Sequence, residues 1–357
     1  DWPPTNAEMT GCLVLGAGLA GACAAYALAR QGRRVVLVDA AAAAAQGASA
    51  LPVGLMAPRK QAGAQAALPQ QPDWDAQGMA CTRRWLEDFS AQGLLVPGQD
   101  WQACGSAHST AFAKKQTKKQ GKAAQEQEAW RWQPEVCWIK PQRLVAACLQ
   151  QPSIRCVWQA QASALQALGD GWQMLLADGR VLRARQLVLA ASVGSSALLR
   201  GLPQGAAGSA LRRLQDKNIL NATAGQAIYA PWQRDWDALL PLTEHAPHAC
   251  NGHGHFVPAV SCDEASGGDF WLSGATYVHE ATAEAANTDA GQAENVQRLI
   301  ELLPPFAPAL QRQGVAGKIQ RFVGVRCTTP TRLPVVAQLA HGLWLSAGFG
   351  SRGLSHA

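Results

Sequence analysis

No Cys-x-x-Cys pair occurs among the ten cysteines, which stand at 12, 23, 81, 104, 137, 148, 156, 250, 262 and 327. Their spacing gives neither a disulfide framework nor a zinc-binding set. Several sit in apolar runs, so they read as buried thiols in a reducing cytoplasm. No apolar stretch is long enough to cross a bilayer, so no membrane partner is expected, and Asp1-Trp2-Pro3-Pro4 carries none of the features of a secretion signal. His253 and His255 flank Gly254, yet no acidic or cysteine set completes a site at sensible spacing, so no metal is expected. Charge is sparse too: 16% of residues are charged against 48% hydrophobic. That balance indicates a globular protein with a sizeable core, and 357 residues suffice for two domains. A net charge of +6 suits an anionic partner without identifying one.

What is present is concentrated between Cys12 and Asp39. Cys12-Leu13-Val14-Leu15 reads as a buried parallel strand. Gly16, Gly18 and Gly21 follow in GxGxxG spacing, then an Ala/Leu-rich helix to Arg30, a stop at Gly32 and a second strand, Val35-Val36-Leu37-Val38. Asp39 ends the unit about 20 residues past the glycines, as in a dinucleotide site. Gly16 allows the tight turn, Gly18 lets a pyrophosphate approach the backbone, and Gly21 lets the helix pack close to the strand. The helix start, at Leu19 and Ala20, offers N–H groups and a positive dipole end to phosphates. Asp39, followed by Ala40, can accept from a ribose hydroxyl. The motif alone does not choose between NAD and FAD.

Further along, Gln46-Gly47-Ala48-Ser49 and the prolines around Gly54 and Leu55 indicate a turn and an extended loop of small side chains that can lie flat against a ring or phosphate. An amphipathic helix is expected over Met79–Phe89, and another over Gln142–Leu149. A polar stretch over 105–128 contains Lys114–Lys119, either a basic loop able to meet a phosphate backbone or a solvated insertion. Strands are expected at Ile154–Val157, Trp172–Leu176 and Val181–Ala191, with a turn at Asp178-Gly179. Ala191 and Ser192 would again face the nucleotide edge. Residues 201–320 change character: Gly225–Tyr229, Phe256–Pro258 and Phe270–Tyr277 read as strands of an antiparallel sheet, with one helix over Ala293–Leu303. After an extended stretch from Arg326 to Val336, a strand at Leu343–Ala347 leads to Gly348-Phe349-Gly350-Ser351-Arg352-Gly353 and a helix start at Gly353. The chain stops within that helix's first turns, so the expectation is a polypeptide that continues or a sequence that is part of a longer one.

The opening GxGxxG unit, the Gly-Ala-Ser loop after Asp39 and the closing GxGSRG segment resemble the D-amino-acid oxidase-like FAD family, which includes glycine and sarcosine oxidases. Within it, Gln46–Ser49, Val323–Thr329, Gly348–Leu354, Gly254–Pro258 and Gly274–Tyr277 are similar to the FAD-dependent half of bifunctional enzymes that modify the tRNA wobble uridine. The chain departs from that pattern at Ala50-Leu51-Pro52, at His255 and at Pro330-Thr331-Arg332, all near where substrate should lie.

The resemblance implies an α/β protein: a Rossmann-type FAD-binding domain formed by 11–60, 143–200 and 321–357, and a second α+β substrate domain, 61–142 and 201–320, on an antiparallel sheet. It implies FAD, held by the N-terminal unit, by the 47–54 loop and by Gly348–Leu354, with backbone N–H groups facing the pyrimidine end of the flavin and Arg352 adding charge. It implies oxidation of a secondary amine, namely loss of the carboxymethyl group from 5-carboxymethylaminomethyl uridine in tRNA. The alternative is a small amino acid or secondary amine. A methyltransferase, fused or separate, would act on the tRNA product. Arg326 is the candidate for the substrate carboxylate, with Gln226, Tyr277 and His255 as candidate lining residues.

Overall fold

A computed structural model describes residues 9–58, 74–110, 130–203, 219–262, 268–279 and 282–356. Residues 59–73, rich in Gln, Ala and Pro, and the whole Lys114–Lys119 cluster lie outside the described residues.

The first strand, β1 (Met9–Leu15), is followed by α1 (Leu19–Arg30) and β2 (Val35–Val38). These take the centre of an eight-stranded sheet. Its parallel part runs Leu343–Ala347, Val181–Leu189, β1, β2, Ile154–Val157. All four residues of β2 are buried, as expected of a strand covered on both faces. Alternate residues feed opposite layers. Cys12, Val14, Val35 and Leu37 pack towards Ala25 of α1, whereas Leu13, Leu15, Val36 and Val38 join the larger core on the other side. The small α1 residues Ala22 and Ala25 are fully buried, which brings helix and sheet together. Antiparallel strands Gly171–Leu176 and Ala162–Leu168 extend the sheet beside Val181–Leu189, through the expected turn at Gly179, where φ is +86°.

The second sheet is built on Asn221–Pro231, which pairs antiparallel with Phe270–Gly274 and Val278–His279 on one side and with Gln320–Thr328 on the other. Beyond Phe270–Gly274 come Gly254–Val260 and Ala249–Gly252 in antiparallel order; Ser106–Ser109 then joins in parallel. Its core is aromatic: Trp271, Phe256 and Phe306 are fully buried, with Trp232 and Trp236 against them and ring centroids as close as 5.1 Å. The helix Asp289–Leu302 adds Leu299 and Leu302. Gly54–Met56, Cys137–Ile139 and Trp101–Ala103 form a small third, antiparallel sheet.

Three features differ from the sequence reading. Gln320–Thr328 belongs to the antiparallel sheet, because it pairs along its whole length with Asn221–Tyr229. The expected boundary at 321 would have grouped it with the parallel strands. The helix expected from Ala293 begins at Asp289, because the Thr288 hydroxyl accepts from the Gly291 N–H and caps it. Helix Trp74–Ala91 is longer than its apolar repeat suggested. All ten cysteines are free thiols. No described helix is long and apolar enough to cross a membrane, and the described residues hold no group of three or more His, Cys, Asp and Glu arranged for a metal.

Candidate active site

The carboxyl ends of the parallel strands and one face of the antiparallel sheet enclose a single cavity of about 1090 Å³. It is roomy even against the upper end of small-molecule sites. Every cofactor-side residue singled out from the sequence lines it except Gly21 and Arg352.

The β1–α1 turn is shaped by steric necessity. Gly16 has φ +106°, and a Cβ there would lie 2.4 Å from the Ala190 carbonyl oxygen. Gly21 is buried behind the turn rather than facing the cavity; its Cβ would sit 1.7 Å from the Gly16 carbonyl oxygen. The helix cap is Gly18, which supplies no side chain; the Leu19 N–H instead donates to Ser49 Oγ at 3.0 Å. Ser49 therefore brings the small-residue loop onto the helix start. Asp39 is more occupied than the motif implied. Its Oδ2 accepts from the Ala17 N–H at 2.6 Å and its Oδ1 from the Ala41 N–H at 2.8 Å, so it first of all braces the turn. A carboxylate has about four acceptor positions, which leaves capacity for a ribose hydroxyl.

The second glycine segment closes the same cavity from the other side. Gly348 has φ +79°, and Gly350, at φ +57°, donates its N–H to the Cys327 carbonyl at 2.8 Å. A Cβ on Gly353 would meet Leu19 at 3.3 Å, and one on Gly54 would meet Leu354 at 2.7 Å. Leu19 of α1 thus touches the second glycine segment, and Leu354 of that segment touches the small strand at Gly54. Arg352 points away from the cavity. Its Nη1 pairs with Asp75 Oδ1 at 2.7 Å, and His356 Nε2 reaches the same oxygen at 2.6 Å. Arg352 therefore ties the segment to helix Trp74–Ala91 instead of adding charge to the site. The Thr82 hydroxyl reinforces this by donating to the Leu354 carbonyl at 2.8 Å.

Arg326, His255 and Tyr277 line the wall contributed by the antiparallel sheet. Arg326 lies over the Tyr277 ring, 4.5 Å from its centroid, and donates weakly to the Thr276 carbonyl at 3.4 Å. Among the described residues no carboxylate pairs with it. Gly225 makes its room, since a Cβ there would be 2.1 Å from Arg326 Nη2. Gln226 does not line the cavity. It is fully buried behind the wall, exchanging backbone and hydroxyl hydrogen bonds with Thr276, while Asn295 Nδ2 donates to its carbonyl at 2.8 Å. Its side-chain Oε1 accepts from the Thr288 N–H at 3.2 Å. Asn251 does line the cavity and escaped the sequence reading. It stands directly opposite His255 in a hairpin, a pairing that the Asn251-Gly252 turn signal and a period of two would have indicated. Nothing comparable marks Ala160–Ser163, which also face the cavity.

Burial, and secondarily the Arg326 charge, lower the His255 pKa from the ordinary 6.5 to about 4. The imidazole is therefore neutral at pH 7. An unfolded chain takes up a proton here below about pH 6.5, whereas the folded chain refuses it until about pH 4. Stability is thus lost as pH falls through that window, and above it His255 adds no pH dependence. Replacing His255 by Asn should flatten thermal stability between pH 6.5 and 4, removing up to about 3 kcal/mol of pH dependence. An unchanged slope in the variant would contradict this account.

The lining fits a flavin dinucleotide. It offers Cβ-free approach at Gly16 and Gly18, a helix start for phosphates, and small side chains along the length of the cavity. Among the described residues that line it, Asp39 is the one carboxylate, and it lies beside the β1–α1 turn.

A sequence profile of the family described as FAD dependent oxidoreductase matches residues 12–357. The tRNA 5-methylaminomethyl-2-thiouridine biosynthesis bifunctional protein MnmC of Albidiferax ferrireducens is 34% identical over 359 residues, covering 99% of this chain and 54% of that protein. Its counterpart in Polaromonas sp. is 33% identical over 390 residues, covering 100% and 57% respectively. The chain spans about half the length of the curated relatives it matches. Among solved structures, glycine oxidase from Geobacillus kaustophilus superposes with a TM-score of 0.69 at 15% identity, covering 98% of this chain and 91% of that one. L-proline dehydrogenase from P. horikoshii gives 0.69 at 14%, covering 98% and 90%. At such identities the likeness is one of fold.

Proposed function

The chain belongs to the FAD-dependent oxidoreductase family, and from that membership we propose that it oxidises a carboxylate-bearing secondary amine, the 5-carboxymethylaminomethyl group of the tRNA wobble uridine. That group loses two electrons to become an imine, and water hydrolyses the imine. The carboxymethyl part leaves as glyoxylate, the 5-aminomethyl form remains, and oxygen takes up the electrons from the flavin. The relatives that match nearly all of this chain are named for biosynthesis of a modified tRNA uridine. The observation that carries the reading is Arg326, a guanidinium on the cavity wall with no carboxylate partner among the described residues. Such a fork pairs with a carboxylate through two parallel N–H bonds.

Held by the Gly16–Ala20 turn, the Gly47–Leu55 loop, Ala191, Ser192 and the Gly348–Leu354 segment, FAD supplies the two-electron acceptor for the C–H bond beside the amine nitrogen. The chain's own residues bind and orient. Arg326 fixes the carboxymethyl end of the substrate. His255, neutral at pH 7, lines the same wall as an uncharged hydrogen-bonding ring. Fixing the reacting carbon against the acceptor contributes through orientation more than through a strong base. The parallel-sheet part of the chain and the Gly348–Leu354 segment serve the cofactor, and the antiparallel sheet, including Arg326 on Gln320–Thr328, serves the substrate. The substrate places the enzyme in the cytoplasm, where a methyltransferase, fused or separate, consumes the product.

The purified yellow protein is to be incubated with tRNA carrying the 5-carboxymethylaminomethyl group, followed by nucleoside mass spectrometry. Conversion to the 5-aminomethyl nucleoside, with glyoxylate in equal amount, is the expected result. Unchanged tRNA alongside turnover of glycine or sarcosine would replace this reading with that of a small-amine oxidase.

A further inference from the structure

We propose that Tyr277 is a stacking platform for the substrate's pyrimidine base, holding it at the cavity mouth while the substituent on base carbon C5 runs past the ring to Arg326. The inference rests on the nucleotide substrate proposed above and assigns the residue that would recognise its base.

The sequence has three tyrosines, and two of them have packing reasons to exist. Tyr26 is buried against Trp85 and Phe89, and Tyr229 packs edge-on to Phe270. Tyr277 is 55% exposed although it lines the cavity. One ring face is covered by the Arg326 guanidinium at 4.5 Å, so the exposure belongs to the rest of the ring. A flat ring braced by a cation on one side and wet on the other is what base stacking uses.

The ring is also carried on a fixed loop. Thr276, immediately before it, donates its N–H to the Gln226 carbonyl at 3.1 Å, and its hydroxyl accepts the Gln226 N–H at 3.0 Å. Arg298 Nη1 donates to the Ala275 carbonyl at 2.8 Å. A side chain carried next to residues tied down by three hydrogen bonds sits on a loop that needs little ordering when a ligand lands on it.

The distances agree. A base in van der Waals contact with the outer ring face lies about 3.5 Å from it, and the guanidinium lies 4.5 Å behind the centroid. Along the ring normal the gap to the guanidinium carbon is about 8 Å, and with C5 offset past the ring edge it is about 9 Å. The carboxymethylaminomethyl arm, with four bonds from the base to its carboxylate carbon, reaches about 5 Å when extended. The carboxylate C–O bond, a charge-assisted N–H···O contact and the guanidinium C–N bond add about 5 Å more. An offset stack, with C5 beyond the ring edge, lets the arm pass into the cavity.

The test uses the FAD-loaded enzyme, tRNA bearing the modified uridine, and the variants Tyr277→Phe, Tyr277→Leu and Tyr277→Ala. Because the ring is half exposed, all three should keep wild-type flavin content and thermal stability. Tyr277→Phe should stay within about 3-fold of wild type in both constants. Tyr277→Ala and Tyr277→Leu should raise KM about 10- to 100-fold, with kcat at saturating tRNA held within about 3-fold. Three outcomes overturn the platform: KM unchanged in Tyr277→Ala, the loss appearing in kcat with KM unchanged, or Tyr277→Phe as damaged as Tyr277→Ala. A wild-type enzyme that leaves the tRNA unmodified instead removes the proposed substrate, a result visible before any variant is made.

Discussion

Substituting alanine for Gly21 is expected to yield protein without bound flavin. The added methyl would sit 1.7 Å from the Gly16 carbonyl oxygen, and that neighbour is backbone, not the yielding tip of a side chain. Gly16 is held where it is by its N–H, which is committed to the Val38 carbonyl at 2.8 Å. Helix α1 must therefore shift away from β1, and the buried contacts of Ala22 and Ala25 open with it. The cost belongs with the largest single-substitution effects, above about 4 kcal/mol. It falls on the turn that would cradle the pyrophosphate. The measurement is yellow absorbance per mole of purified protein, with thermal unfolding alongside. Gly169→Ala serves as control, since a methyl there meets nothing within 4 Å. A Gly21→Ala protein with full flavin content and unchanged unfolding would refute the packing argument.

Arg326→Met should leave flavin content near wild type and lower kcat/KM between about 150- and 5000-fold. That is the range for deleting one partner of a desolvated, hydrogen-bonded charge pair, about 3–5 kcal/mol. Arg326→Lys should recover part of the loss by restoring charge without the planar fork. The space argues for arginine specifically: Gly225 leaves a slot in which any side chain would strike Arg326 Nη2. A loss below tenfold in Arg326→Met, measured by steady-state kinetics on the modified tRNA, would remove the carboxylate role. Loss of flavin in the same variant would mark Arg326 as a structural strut instead.

The dinucleotide unit was readable because its constraints are local: strand, glycine turn, helix, strand and acid follow one another within thirty residues, and each glycine has its own steric reason. What could not be read is long-range. Arg352 meets Asp75 across 277 positions, so a GSRG motif gives no hint that its arginine turns outward. Gln226 lies in a strand with buried residues on both sides, Ala224 and Ile228 among them, so no alternation told whether it faced the cavity. Its partners come from helix Asp289–Leu302 and the Thr276 loop, none adjacent in sequence. Asn251 was the exception, a missed residue that its hairpin could have revealed.

The Asp75 anchor beneath Arg352 and His356 also bears on how the cradle is put together. The β1–α1 turn can form from its own neighbourhood, whereas the opposing glycine segment, far away in sequence, is held in place by docking on helix Trp74–Ala91. Local folding thus supplies half a clasp, and a long-range contact completes it. A protease cut just beyond Ala347 would remove the second wall of the cavity while leaving every strand of the parallel sheet in the chain.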